Sequence, residues 1–193
     1  MNKFIITFIM SLLLIGCNDY PDKDKDHTYN FVGDSLIARW SLSESFPSLL
    51  TYNFGKSGSG ISYIRELGGK FVGTDVVVLT GTNDENNFYP DKIDNYIDDY
   101  LGAINKLSDN HIYLISVLPR KFEGDTEDTN DRIANFNQRV KNALSAYPNI
   151  VYIDVFENFM DGDHINYQYY SDGLHLSVYG YEYLSSRLLN KIF

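Results

Sequence analysis

A three-layer α/β/α domain built on a five-stranded parallel sheet is what the sequence predicts, and three observations predict it. Short apolar, β-rich runs recur at 28–32, 50–54, 75–80, 112–117 and 150–154, each bounded by polar or glycine-containing turns. Segments between and after them, at 61–67, 93–107, 129–146 and 179–192, carry apolar residues at the three- and four-residue spacing of amphipathic helices. The third run, Val76-Val77-Val78-Leu79, is apolar without a break, as in a central strand covered on both faces. Strands that alternate with helices pair in parallel through right-handed crossovers, and five of them suit the flavodoxin-like order 2-1-3-4-5.

Length and composition agree with a single domain at 28–193. The chain has 193 residues, 44% hydrophobic and 22% charged, with 16 Tyr and 12 Phe, which is enough apolar surface for one core and unlike a disordered composition. A formal net charge of −10 makes the surface repel phosphate backbones, so no nucleic-acid partner is expected and neutral or weakly charged substrates fit better.

The N-terminus has its own character. Lys3 and the apolar run at 4–15 form the positive and hydrophobic parts of a secretory signal over 1–16, too short to span a bilayer comfortably. It ends in Leu14-Ile15-Gly16-Cys17, which resembles the bacterial lipobox, so Cys17 is the expected lipidation site. The domain would then sit in the bacterial cell envelope, periplasm-facing or surface-exposed, with its lipid as the sole membrane contact. Cys17 is also the only cysteine, which excludes an internal disulfide. Residues 17–27 read as a solvated tether. Asp22, Asp24 and Asp26 are spaced like the start of a calcium loop, but His27 stands where that loop needs glycine, so no metal is expected.

Ligands of such sheets bind at the carboxyl ends of the strands, where the strand order reverses. Three loops begin there, at Gly33, Gly55 and Gly81. The first, Gly33-Asp34-Ser35-Leu36, puts a hydroxyl at the start of a helix, where capping by Asp34 or Ser35 is the commonest use of these residues. In the second, Gly55, Gly58 and Gly60 give G-x-x-G-x-G, which is neither a dinucleotide fingerprint nor a Walker loop but exposes backbone N–H groups. The third, Gly81-Thr82-Asn83-Asp84, carries an amide that can donate to a developing oxyanion, beside an Asp84 suited to capping the next turn. Near the carboxyl terminus, Asp172 and His175 are three apart, so the carboxylate can hold Nδ1–H and leave Nε2 facing a nucleophile. His27 in the tether, His111 at a strand start and His164 in a polar loop compete weakly as bases.

Together these four segments resemble the SGNH hydrolases, or GDSL lipases and esterases, in all four blocks and in their order, from Gly33 to His175. The resemblance implies the SGNH hydrolase fold and a serine esterase that needs no cofactor and no metal. It makes Ser35 the nucleophile, His175 the general base and acid, and Asp172 the residue that orients it. The oxyanion hole would comprise the Ser35 and Gly58 backbone N–H groups and the Asn83 side chain. Asn53-Phe54-Gly55, Gly81-Thr82-Asn83, Leu118-Pro119-Arg120 and Leu174-His175-Leu176 look closer still to the catalytic subunits of platelet-activating-factor acetylhydrolase. That nearer likeness implies a small acyl group, with a small ester or acetylated carbohydrate as substrate, and leaves a homodimer open. An acyltransferase using the same residues and a catalytically silent glycan-binding envelope lipoprotein remain alternatives. Trp40, Phe88, Tyr89 and the tyrosines Tyr167, Tyr169 and Tyr170 are expected mainly in the core or ordinary surface, and the acidic stretch 123–131 as a solvated excursion at the site's rim.

Overall fold

The computed structural model describes residues 27–193. The leader at 1–16, the Cys17 lipidation site and all of the tether except His27 lie outside the described residues. Five parallel strands, β1 (Thr28–Gly33), β2 (Leu50–Gly55), β3 (Asp75–Leu79), β4 (Ile112–Ile115) and β5 (Ile150–Ile153), form one sheet in the order β2-β1-β3-β4-β5. The expected topology is therefore the observed one.

Side-chain alternation assigns each sheet face to its own helical layer. Val32, Val76, Val78, Ile112 and Leu114 point into a core shared with α3 (Ile61–Glu66), α4 (Ile93–Asn105) and α5 (Thr129–Ala143). Phe31, Val77, Leu79, Tyr113 and Ile115 point the other way, against α1 (Ser35–Ala38), α2 (Leu42–Ser45) and α6 (Val178–Ile192). A slip of one residue would exchange the two sets, so the register is fixed by burial on both sides. Trp40 and Phe88 are core residues: Trp40 packs on Phe31, Phe46 and Tyr181, and Phe88 stacks on Phe136 with centroids 4.0 Å apart.

Element ends differ modestly from the sequence pattern, for local reasons. β4 stops at Ile115 because Ser116 leaves the run of ladder residues and its hydroxyl accepts from the Val155 N–H, 3.0 Å away. The helical pattern at 129–146 divides into α5 and a terminal 3₁₀ turn, Leu144–Ala146. α6 begins where Ser177 accepts from the Gly180 N–H at 3.2 Å, an N-cap that closes one of the helix's open donors. Four elements escape periodicity altogether because they are too short to show it: α1 and α2, and the antiparallel strands β6 (Met160–Asp161) and β7 (His164–Ile165). Among the described residues, no helix is long and apolar enough to cross a membrane.

Phe136 is fully buried, stacked on Phe88 and set edge-on to Tyr100 at 5.1 Å. Phe136→Ala is expected to lower unfolding stability by about 3–5 kcal/mol, read from the midpoint of urea denaturation with an unchanged slope.

Candidate active site

Three loops and one C-terminal turn meet at the carboxyl edge of the sheet. β1 lies between β2 and β3, with Gly33 paired to Gly55 on one side and to Leu79 on the other. The chain leaves β1 at Asp34, whose backbone takes the extended conformation of an N-cap and whose carboxylate accepts from the Leu36 N–H at 2.9 Å. Ser35 is thereby the first residue of α1, 5% exposed. Both uses of this loop coexist, since Asp34 caps the helix and leaves the Ser35 hydroxyl free to face another side chain.

That side chain is His175. Ser35 Oγ lies 3.1 Å from His175 Nε2, across 140 residues of sequence. His175 Nδ1 lies 2.7 Å from Asp172 Oδ2. The other oxygen, Oδ1, accepts from the His175 and Leu174 backbone N–H groups at 2.7 and 3.0 Å, so the carboxylate holds both the ring and the turn that carries it. A carboxylate at Nδ1 keeps the proton there, which leaves the Nε2 lone pair for the serine O–H. Partial burial pushes the Asp172 carboxyl up, but the His175 backbone and ring and the Leu174 N–H outweigh it and hold it down at about 2. The turn is closed by Gly173, whose φ of 84° is left-handed and whose position admits no side chain, because a Cβ would stand 2.1 Å from the Lys121 carbonyl oxygen.

The second and third loops flank Ser35. Gly58 is left-handed at φ 73°, and among the described residues no hydrogen bond within the protein uses its N–H or that of Ser35. The Asn83 amide donates to the Ser59 carbonyl at 2.7 Å, which ties the third loop to the second and leaves one amide hydrogen over. Asp84 does cap a turn, though a different one from the next: its carboxylate accepts from the Ile61 N–H at 2.9 Å, at the start of α3, and fits against Gly60 where a Cβ would be 2.2 Å from Oδ1. The other histidines stay apart, His111 beside Asp75 and His164 against its neighbour's carbonyl. Among the described residues, no cluster of three or more His, Cys, Asp or Glu side chains is arranged to hold a metal ion.

The stretch 123–131 is largely solvated as expected, with Glu123, Gly124, Thr126, Glu127, Asp128 and Asp131 exposed, but part of it is anchored. It is not simply a solvated excursion, because the Asp125 side chain is only 2% exposed and grips Arg120, while Thr129 and Arg132 are buried at the start of α5. Arg120 and Arg132 both reach Glu85 in the 3₁₀ turn Thr82–Asn87, at 3.8 and 3.3 Å. Sequence alone singles out Arg120 as part of a string and assigns it no partner; a basic residue directly after Pro119 with an acidic loop behind it is the signal that could have paired it with Asp125.

The burial of Asp34 is the other feature with no trace in the pattern. The residue is fully buried, and its second carboxyl oxygen has no hydrogen-bond partner. Burial pushes the carboxyl up to about 7 against the pull of the Leu36 and Thr82 backbone N–H groups, and the Asp84 charge adds to the rise.

A parallel α/β/α sheet that brings a hydroxyl, an imidazole and a carboxylate into series at its carboxyl edge is the framework of a hydrolase, and this chain is an enzyme of that class. It belongs to the GDSL-like lipase/acylhydrolase family, whose profile matches residues 31–183. A Streptococcus pneumoniae structure named for platelet activating factor shares 28% identity over 86% of this chain and 84% of its own, with a TM-score of 0.70. A GDSL-like lipase from Bacteroides thetaiotaomicron shares 22% over 87% and 88%, with a TM-score of 0.65. The C-terminal catalytic domain of peptidoglycan O-acetyltransferase A from Streptococcus pneumoniae shares the fold at 16% identity over 86% and 92%, with a TM-score of 0.60. No curated protein matches the chain.

Because the folded state prefers a protonated Asp34, this carboxyl favours folding below its ordinary value of 3.8 and withdraws that contribution as pH rises through about 7. The melting temperature of Asp34→Asn relative to the parent protein should therefore climb between about pH 4 and pH 7 and level off above; a pH-independent difference would contradict a raised pKa.

Proposed function

We propose that the chain is a serine esterase that removes small acyl groups, O-acetyl above all, from carbohydrate or lipid-like alcohols. The observation that carries this is the continuous line from Ser35 Oγ through His175 to Asp172, with contacts of 3.1 and 2.7 Å. His175 Nε2 takes the serine proton as Oγ attacks the ester carbonyl. Asp172 then faces an imidazolium rather than a neutral ring, and its low pKa keeps it anionic for that task. The tetrahedral oxyanion is received by the Ser35 and Gly58 N–H groups and the spare hydrogen of Asn83, and the imidazolium protonates the departing alcohol. Water repeats the cycle on the acyl-enzyme. The likeness of Asn53-Phe54-Gly55 and Leu118-Pro119-Arg120 to the acetylhydrolase subunits supports the small acyl group.

We place the enzyme at the bacterial cell envelope, held by a lipid on Cys17 once residues 1–16 are removed, with the tether at 17–27 spacing the domain from the membrane. The support is the order of Lys3, the apolar run and Gly16-Cys17.

Hydrolysis of p-nitrophenyl esters should peak at acetate and fall with chain length. Ser35→Ala should lose about 10⁴-fold or more, and an organophosphonate should label Ser35 alone. Asn83→Ala should cost about 100- to 1,000-fold in kcat. Acetylated xylan and peptidoglycan identify the alcohol, and added sugar or glycerol acceptors separate hydrolysis from transfer: faster formation of acyl-acceptor than of free acid would make the enzyme a transferase. Activity that survives Ser35→Ala would end the reading. For the anchor, native protein should partition with membranes and Cys17→Ala with the soluble fraction at equal specific activity, unless the N-terminus is uncleaved.

A further inference from the structure

Three consecutive residues after β4 touch both halves of the site. The Pro119 carbonyl accepts from the Tyr170 hydroxyl at 2.6 Å, and the Lys121 N–H donates to the Gly173 carbonyl at 2.8 Å, so the segment is fastened to the turn that carries Asp172 and His175. Between them, Arg120 Nη1 donates to the Thr82 carbonyl at 2.6 Å, the residue directly before Asn83. The Arg120 backbone is itself gripped twice by Asn130, whose Oδ1 accepts from its N–H at 2.8 Å and whose Nδ2 donates to its carbonyl at 2.9 Å. Its guanidinium is oriented by Asp125, which accepts from Nε and Nη2 at 3.0 and 2.5 Å. The side chain is 11% exposed, so none of this is a loose surface contact.

We infer that Arg120 is a positioning residue for the Asn83 donor, setting the oxyanion side of the site at a fixed spacing from the His175 side. The inference rests on the roles given above to Ser35, His175 and Asn83. An ion pair alone does not account for the arrangement. Asp125 would be satisfied by any cation, whereas the bond to a neutral carbonyl requires a second N–H held at a fixed angle to the first, which the planar guanidinium fork supplies and an ammonium does not. From this side the turn Thr82–Asn87 is held at Glu85 by Arg132 and, at 3.8 Å, by Arg120, and at Thr82 by the shorter Arg120 hydrogen bond. Without that bond, the loop that presents Asn83 keeps its tie to Ser59 but loses the one that refers it to the His175 turn.

The test is a double-mutant cycle on acetyl-ester hydrolysis, with each rate normalised to the Ser35 sites titrated by organophosphonate, so that unfolded protein does not count. Arg120→Lys keeps a cation for Asp125. It should lower kcat about 10- to 100-fold with KM changed less than about threefold, since the donor acts on a geometry reached only in the transition state. In the Asn83→Ala background the same change should cost less than about twofold, because the group it positions is gone. Should Arg120→Lys not fold, Arg120→Gln with Asp125→Asn removes the charge pair together and enters the same cycle. Equal losses in both backgrounds would mean a general structural role, and an unchanged kcat would mean none; either overturns the inference. Ser35→Ala assayed alongside keeps the two readings apart, since its loss of turnover upholds the esterase whatever the cycle gives, and retained turnover removes both.

Discussion

The site depends on one constraint, the position of β1 between two parallel neighbours. Gly33 is level with Gly55 and with Leu79, so all three strands end within one step of each other and release their loops into the same space. No single loop has the sequence of a binding site. Their convergence is a property of strand order and register, both of which follow from burying opposite side-chain sets against two helical layers. Packing thus does what no local motif could: it releases the loops that carry Ser35, Gly58 and Asn83 from three neighbouring strands.

Charge is arranged around that alignment in two ways. An acidic chain could solvate its carboxylates, yet several at this edge are enclosed. Asp84 and the more exposed Asp172 each give one oxygen to backbone N–H groups, as caps that shape a turn, and Asp172 gives its other to the His175 ring. Asp125 and Glu85 instead balance Arg120 and Arg132, which fastens one point of a long acidic connection to the turn Thr82–Asn87. Asp34 fits neither pattern, being enclosed with an oxygen left over, and burial accordingly favours its neutral form. Its place directly before Ser35 puts a titrating group one residue from the hydroxyl.

The sequence made the sheet legible because a buried parallel strand such as Val76–Leu79 has no polar residue to confuse its pattern, and because helices the length of α4 and α6 show several turns of spacing. The approach of Ser35, Asp172 and His175 was legible as residue types in a given order, Asp172 and His175 by their spacing and Ser35 by its place after a strand and a glycine. What was not legible were contacts whose partners come from unrelated loops. Nothing near Arg120 names Thr82, and nothing near Asp125 announces burial, since an acidic loop with glycine and threonine looks the same whether it is solvated or folded over a guanidinium. Four-residue helices such as α1 are similarly silent, though α1 is the element that carries Ser35.

The turn that carries Ser35 is bound to the last part of the chain twice over: His175 meets Ser35, and the Tyr181 hydroxyl donates to the Leu36 carbonyl at 2.7 Å across 145 residues. A growing polypeptide can complete the sheet, with β5 closed at Ile153, and still be unable to bring imidazole to hydroxyl. A chain cut before His175 would lack both links and, without α6, would also uncover the face of the sheet that Leu184 and Leu188 bury.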